Sequence, residues 1–408
     1  MRQIYFDHQS ATPVLPEVIE AMRPFFAASF GNPASRHRHG LLAREALEKA
    51  RAQVGAFLRA ESPEEIIFTG DATEAANLAV KGTALARRRH GGHLVVSQIE
   101  HSSVLASAEF LEARGLACTR VGVDAEGMID PGRVQEALRE ETVLIAVHHV
   151  NHEIGVLEPV AKIGALAREQ GVPFYVDADA GAGWFPLDVR EMGAGLLSFS
   201  PQRFGGPKGV GVLYQNRRAP LAPLLHGGPQ ENGRRAGVEN VPAIVGAGVA
   251  VEIAGREMAR RRAHCARLQE RLWDGLRAGI PGIKLNGPAP GPARQPGNLN
   301  FSVEFIEGES QMLLCDMQGI AVASGSACAG SGGKSSHVLE ALGLPAALAR
   351  GNLILSLGPT NTAEEVDCFL AAFPKIVAKL RGLSPTWEEF QRGLTRPVVE
   401  PVEAGRTS

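Results

Sequence analysis

The sequence predicts an α/β fold, with a mostly parallel sheet in a large domain and a smaller α+β domain after it. Through roughly the first 250 residues, short runs rich in β-branched residues alternate with amphipathic stretches. This alternation is typical of βαβ units with helices on both faces of the sheet. The pattern becomes largely helical around Val238–Leu276, and strands and helices are mixed after it. A chain of 408 residues is long enough for roughly two or three domains.

The strands of the large domain are predicted from apolar runs bounded by turn residues. They are Glu65–Phe68, His93–Gln98, Thr142–Val150, Pro173–Asp177, Leu196–Ser200 and Val210–Tyr214. The helices predicted between them include Gly40–Leu58, Thr73–Ala84 and Val160–Gln170. Ligands of such sheets bind at the carboxyl ends of the strands, so we expect the functional residues in the loops that follow them.

The predicted domain division follows these changes of pattern. Residues 14–255 form the large α/β domain, and residues 1–13 and 256–384 form the small α+β domain. Residues 385–408 contain three prolines and little periodicity, and we expect a loosely ordered C-terminal tail there.

Composition excludes several classes of partner. The net charge is -2 and 44% of the residues are hydrophobic, so nothing favours binding to nucleic acid or to an anionic membrane. Eighteen apolar residues never occur in a row and no signal-peptide pattern opens the chain, which predicts a cytoplasmic protein without a membrane partner. The five cysteines include no Cys-x-x-Cys pair, so neither a disulfide framework nor a self-contained zinc site is predicted.

Four segments carry a resemblance to a known family. They are YFDHQSATP at 5–13, FGNPAS at 30–35, LLSFSPQRFGGPKG at 196–209 and SGSAC at 324–328. In this order they resemble motifs of the cysteine desulfurases of the NifS/IscS type, within the class V aminotransferases. The resemblance covers the chain from Tyr5 to about Asp367. It implies the type I fold of pyridoxal-phosphate (PLP)-dependent transferases, and a homodimer with its active site at the subunit interface.

Four residues match cofactor contacts of that family and imply an inherited PLP pocket. Thr73 opens a helix whose backbone N–H groups suit a phosphate. The resemblance assigns His101 to stacking on the pyridine ring, and Ser200 to the phosphate. It assigns Asp177 to the protonated ring nitrogen, a contact that makes PLP an electron sink.

Other positions of the pocket depart from the family. Arg203 stands where the family has the lysine that forms the Schiff base, and Gln202 stands where it has a histidine. His152 replaces the asparagine that contacts the ring hydroxyl. Because a guanidinium stays protonated and supplies no free amine, we do not expect covalent PLP. Lys208 is the nearby amine that could substitute, although it lies five residues beyond the family's anchor.

Three further departures replace polar family residues by apolar ones. Ala180 replaces a glutamine that reaches the ring hydroxyl, and Val238 replaces a threonine that a partner subunit lends to the phosphate. Ile354 replaces the arginine that binds the substrate carboxylate. Losing that bidentate contact alone costs about 2–3 kcal/mol.

Arg203 itself needs a partner if it lies in the inherited cavity. A buried charge without a counter-charge is costly, so we predict that Arg203 pairs with Asp177, or else with Asp71 or Asp179.

The sequence leaves three functions open. The first is a desulfurase-like pseudoenzyme of sulfur transfer or iron–sulfur cluster assembly, in which Cys328 accepts persulfide sulfur or ligates a cluster. Its partners would be an iron–sulfur scaffold protein or an active desulfurase. The second is an active PLP-dependent cysteine desulfurase that converts L-cysteine to L-alanine plus an enzyme persulfide. The third is a non-catalytic regulatory partner of an active homologue.

Overall fold

We describe the fold from a computed structural model, which describes residues 3–87, 92–325 and 336–399. Its strands, numbered along these residues, are β1 (Ile4–Tyr5), β2 (Ile66–Thr69), β3 (His93–Ser97), β4 (Ala117–Val121), β5 (Thr142–His148), β6 (Phe174–Asp177), β7 (Leu196–Phe199), β8 (Gly211–Gln215), β9 (Ile283–Leu285), β10 (Asn298–Val303), β11 (Ile320–Ala321) and β12 (Asn352–Ser356).

The α-helices of the same residues are numbered in the same way. They are α1 (Pro16–Met22), α2 (Pro24–Ala27), α3 (Arg38–Phe57), α4 (Ala72–Asn77), α5 (Thr83–Arg87), α6 (Ser102–Glu112), α7 (Pro131–Ala137), α8 (Val160–Glu169), α9 (Val241–Gly279), α10 (Gly308–Asp316), α11 (His337–Ala341), α12 (Ala346–Arg350), α13 (Ala363–Arg381) and α14 (Pro385–Gln391).

Within the described residues, the central sheet has seven strands in the order β2-β8-β7-β6-β5-β3-β4. Strand β8 runs antiparallel to both neighbours, and the remaining pairs are parallel. Separate cores of buried side chains cover the two faces of the sheet. The predicted α/β class with a mostly parallel sheet is therefore confirmed.

Each predicted strand of the large domain is present within two residues of its expected bounds. Strand β4 escaped prediction because it is a partly exposed edge strand with polar residues at Thr119 and Arg120. The helix predicted over Thr73–Ala84 is interrupted, because a π-helical turn at Leu78–Gly82 separates α4 from α5.

The predicted boundary between the domains lies inside a single helix, α9, of 39 residues. Its first half contributes Val251 and Ala254 to the core beside the central sheet. Its second half contributes Leu272 and Leu276 to a second core, which also contains Phe6. The change of core along α9 falls close to the predicted boundary, and the division into two domains itself stays a prediction.

The second core lies around two small sheets. Strands β9, β10 and β12 form an antiparallel sheet in the order β12-β10-β9, and β1 pairs in parallel with β11. The N-terminal strand thus joins the C-terminal part of the chain.

The expectation of a loosely ordered tail is wrong for residues 385–399. Helix α14 places Phe390 against Phe305, with ring centroids 5.0 Å apart, and Trp387 lies 5.4 Å from the same ring. The backbone N–H of Val399 donates to Glu304 Oε1 at 3.0 Å. Aromatic packing therefore fixes a segment whose prolines suggested disorder, while residues 400–408 lie outside the described part.

Candidate active site

A cavity of about 170 Å³ opens at the carboxyl ends of the parallel strands. His148 and Asp177 end β5 and β6, and Arg203 follows β7. His101 precedes α6 in the connection from β3, and Asp71 lies between β2 and α4. The sheet thus brings together residues that are far apart in the chain.

Most of the predicted site residues do meet at this cavity. Those that line it are Thr73, His101, His152, Asp177, Gln202 and Arg203. Ser200 does not: it is buried, and its hydroxyl donates to the carbonyl of Val210 at 3.2 Å. Cys328 lies outside the described residues.

Arg203 pairs with a carboxylate, as predicted, but the partner is Asp179 and not the first-ranked Asp177. Arg203 Nε donates to Asp179 Oδ2 at 2.7 Å, and the N–H of Ser200 donates to Asp179 Oδ1 at 2.7 Å. Asp177 ends a buried strand, whereas Asp179 lies in the following turn. The turn directs Asp179 towards the segment that follows β7, and this segment contains Arg203.

Asp177 is buried and contacts Asp179, one member of this ion pair. One of its oxygens accepts from the N–H of Asp179 at 3.0 Å. Burial, and then the charge of Asp179, raise the pKa of Asp177 to about 7. Both effects favour the protonated form of this carboxyl group.

Two neutral histidines form one wall of the cavity. The rings of His101 and His152 are 5.1 Å apart and meet edge to face. Burial lowers the pKa of both, and the positive charge of Arg203 adds to the effect. His101 Nδ1 accepts from the N–H of Ser103 at 3.2 Å and so caps helix α6. Its Nε2 then carries the hydrogen of the neutral ring.

A charged array that sequence reasoning missed is centred on His148, one of the residues that line the cavity. His148 Nδ1 is 2.7 Å from Glu100 Oε1, and its Nε2 is 3.4 Å from Glu158 Oε1. Burial opposes the charged ring, but the two carboxylates outweigh it and raise the pKa of His148 to about 10. His148 is aligned with Asp177 in the parallel pairing of β5 and β6. The sequence did offer one signal of this array. His148 lies in a predicted strand, and that strand is the neighbour of the one that ends at Asp177.

Carboxylates of the protein itself accept hydrogen bonds from backbone N–H groups at the start of α4. Asp71 Oδ1 accepts from the N–H of Glu74 at 2.7 Å. Glu74 Oε2 accepts from the N–H of Gly70 at 2.6 Å, and Glu74 Oε1 lies 2.8 Å from Arg235 Nε. The loop that carries Thr73 therefore satisfies these two amides without a ligand.

The three apolar residues that replace polar family residues, Ala180, Val238 and Ile354, lie in different surroundings. Ala180 lines the cavity, and Ile354 is buried in β12, where its N–H donates to the carbonyl of Ala323 at 2.7 Å. Val238 is 60% exposed. None of the three offers a charge or a hydrogen-bonding side chain at its position.

The described cysteines differ in their capacity to react. Burial raises the pKa of Cys118 to about 11 and of Cys265 and Cys315 to about 12, so these thiols stay protonated. Cys368 is exposed on α13. The described residues contain no group of three or more His, Cys, Asp or Glu side chains placed to hold a metal ion. They also contain no helix long and apolar enough to span a membrane.

Comparison with known proteins identifies the family. The model of the class V aminotransferase family matches residues 4–369. The chain is 42% identical over 391 residues to cysteine desulfurase IscS of Clostridium botulinum (strain Hall), covering 96% of this chain and 98% of that protein. The chain belongs to the cysteine desulfurase family of the NifS/IscS type. Cysteine desulfurase IscS of Methanosarcina thermophila is 43% identical over 393 residues, covering 96% of each chain.

Solved structures agree with this assignment. A NifS-like protein superposes with a TM-score of 0.87 at 33% identity, covering 93% of this chain and all of that one. The structure described as SspA in complex with cysteine gives a TM-score of 0.77 at 36% identity, covering 88% of this chain and all of that one. The fold is therefore the type I fold of PLP-dependent transferases.

A PLP site is expected in this family, and the cavity suits the cofactor only in part. The ring of His101 and the carboxyl of Asp177 suit a pyridine ring and its nitrogen. Arg203, which lines the cavity, carries a guanidinium and offers no amine for a Schiff base. The carboxylate of Asp71 also lines the cavity. Among the described residues that line this cavity there is no lysine.

Proposed function

We propose that this protein is a sulfur-transfer member of the cysteine desulfurase family that works without lysine-anchored PLP. The observation that carries the proposal is the 2.7 Å ion pair between Arg203 and Asp179. It supports the proposal because Arg203, which by sequence resemblance stands at the family's lysine position, is permanently charged and paired and cannot present a neutral amine.

The ion pair also gives Arg203 a structural role. Only 16% of the Arg203 side chain and 13% of the Asp179 side chain are exposed. Asp179 would otherwise be a largely buried carboxylate beside Asp177, which is unfavourable without a counter-charge. Arg203 thus preserves the fold of a cavity whose chemistry has changed.

Cys328 is the proposed sulfur carrier. Its thiolate attacks the terminal sulfur of a persulfide on a donor protein, a new S–S bond forms, and the donor's S–S bond breaks. The donor leaves as a thiolate, so no outside oxidant or reductant is needed. The high pKa values of Cys118, Cys265 and Cys315 favour this choice of residue, because those thiols supply almost no thiolate.

The proposal also includes the proteins that give sulfur to Cys328 and receive it. An active desulfurase is the donor, and an iron–sulfur scaffold protein is the acceptor. Ligation of a cluster by Cys328 is the alternative use of the thiol. A cytoplasmic homodimer is the form in which we propose that the protein acts.

A second candidate is an active PLP-dependent cysteine desulfurase. The observation that favours it is the overall similarity of 42% identity over 96% of the chain. In this case PLP is held without a covalent bond or reacts with another amine, such as Lys208. Lys208 is exposed and is not among the residues that line the cavity, which argues against that amine. A non-catalytic regulatory role is the third candidate, and it requires no thiol at Cys328.

One experiment separates the first two candidates. Protein purified with added PLP is scanned for an aldimine absorbance band before and after borohydride, and the product is analysed by mass spectrometry. We expect no lysine-linked adduct and no alanine from L-cysteine. A lysine-linked adduct together with alanine release would establish the active enzyme instead.

A separate experiment tests Cys328. The protein is incubated with a persulfide-loaded desulfurase, and persulfide is located by mass spectrometry in wild type and in C328A. We expect sulfur on Cys328 only when the donor is present. Equal function of C328A in its cellular role would favour the regulatory candidate.

A further inference from the structure

We infer that Asp71 excludes phosphorylated ligands from the cavity, independently of Arg203. The inference rests on the proposed function and deepens it, because it names the ligand class that the cavity rejects. It also implies that restoring the lysine alone does not restore a PLP site.

Asp71 stands where a ligand phosphate would meet the start of α4. Its backbone is extended, and its side chain is the N-cap of the helix. The carboxylate accepts from the N–H of Glu74 at 2.7 Å and lines the cavity. One carboxylate thus already provides the negative charge that a helix N-terminus favours.

Within the described part of the chain, the charge of Asp71 has no cationic partner. Among the residues that the structure describes, no ion pair within 4.0 Å involves Asp71. Glu74, one turn away, is neutralised by Arg235, whose Nε and Nη2 lie 2.8 and 3.2 Å from its oxygens. The guanidinium of Arg203 is engaged by Asp179.

A phosphate dianion at this end would therefore meet an uncompensated carboxylate. Asp71 is exposed to solvent, which weakens the repulsion, but two unit charges on the ligand act together. We expect the phosphate to weaken binding by about tenfold or more relative to the same ligand without phosphate.

The substitution D71N separates the charge of Asp71 from its role as a helix cap. Asparagine caps helices about as well as aspartate, so D71N keeps the start of α4 and removes only the charge. A matched control is D130N: Asp130 is the N-cap of α7, accepts from the N–H of Gly132 at 2.9 Å and is not among the residues that line the cavity.

The test compares PLP with pyridoxal, which lacks the phosphate, in an R203K background that supplies an amine. The variants are R203K, R203K/D71N and R203K/D130N, and borohydride-trapped adducts are counted by mass spectrometry over a range of aldehyde concentrations. We expect D71N to raise the ratio of PLP to pyridoxal affinity by about tenfold or more, and D130N to leave it unchanged. An unchanged ratio in R203K/D71N, or no PLP adduct there, overturns the inference.

A second measurement uses proteins that retain Arg203. The affinities of wild type and D71N for pyridoxine 5′-phosphate and for pyridoxine are compared. A preference for the phosphorylated ligand in wild type contradicts the role of Asp71. It leaves the proposed function standing, because that proposal is tested separately by the lysine adduct, by alanine release and by the loss of sulfur loading in C328A.

Discussion

Arg203 Nε and Asp179 Oδ2 are 2.7 Å apart in a pair whose side chains are both mostly buried. Asp179 also accepts from the N–H of Ser200, so the pair ties the turn after β6 to the loop after β7. This ion pair joins two loops that both contribute residues to the cavity. Its energetic contribution can be measured directly.

The first prediction concerns the strength of this pair. R203A leaves Asp179 without its counter-charge, and we expect it to lower the free energy of unfolding by about 1–3 kcal/mol. A double-mutant cycle with D179N in urea denaturation isolates the coupling, which should be of similar size. Additive effects of R203A and D179N would show that the two side chains do not stabilise each other.

The second prediction is a pH dependence caused by Glu153. This residue is buried, and its Oε2 accepts from the hydroxyl of Ser336 at 2.6 Å. Burial raises the pKa of Glu153 from 4.5 to about 7. Between these values the folded protein binds more protons than the unfolded chain, so this carboxyl lowers stability as the pH rises through that window.

E153Q removes this titration while keeping an acceptor for Ser336. We therefore expect the unfolding free energy of E153Q relative to wild type to increase by roughly 3 kcal/mol between pH 4.5 and pH 7.5. Urea titrations across this range measure the difference, with E270Q on the exposed face of α9 as the control. A difference that does not change with pH would contradict the prediction.

The third prediction concerns the buried His148 array. H148Q leaves Glu100 and Glu158 without the imidazolium, and we expect a loss of about 3–5 kcal/mol at pH 7. The neighbouring His149 is the matched control, because burial lowers its pKa to about 4 and it is neutral at that pH. H149Q should therefore cost less than H148Q.

The pH profile of the array has a defined direction. The pKa of His148 is 6.5 in the unfolded chain and about 10 in the folded protein. Its contribution is complete below pH 6.5 and is lost as the pH rises towards 10. Wild-type stability that does not fall relative to H148Q in this range would show that the ring is not charged in the folded state.

The fourth prediction separates the cysteines by reactivity. Iodoacetamide applied to the native protein near neutral pH should modify Cys328 and the exposed Cys368. Cys118, Cys265 and Cys315 should react only after denaturation, since burial keeps them protonated. Peptide mass spectrometry reads out each site. In persulfide transfer, C368A is the matched control for C328A and should retain sulfur loading.

The fifth prediction tests the packing of the C-terminal segment. Trp387 contacts the ring of Phe305, and the guanidinium of Arg381 lies 4.6 Å from the centre of the Trp387 ring system. We expect W387A to destabilise the protein by about 1–3 kcal/mol through lost aromatic burial. E389A on the exposed side of α14 is the control, and equal effects of the two changes would mean that α14 does not pack through this ring.

Much of the fold could be predicted because its strands are buried on both faces. Apolar residues make up most of strands β5 and β6, and both strands were predicted within two residues. Strand β4 was missed because an exposed edge strand carries polar side chains and lacks this signal. Helix α14 was missed because its stability comes from contact with Phe305, more than 80 residues earlier in the chain.

The features of the candidate site likewise divide into those that the sequence predicted and those that only the structure showed. The sequence by itself determined the family, the strand ends that carry the cavity residues, and the absence of an amine at position 203, because these depend on local pattern and residue chemistry. Only the tertiary structure decided that Arg203 pairs with Asp179 and that His148 lies between Glu100 and Glu158. Partner choice among charged side chains depends on distances and burial, and both arise only when separate strands are brought side by side.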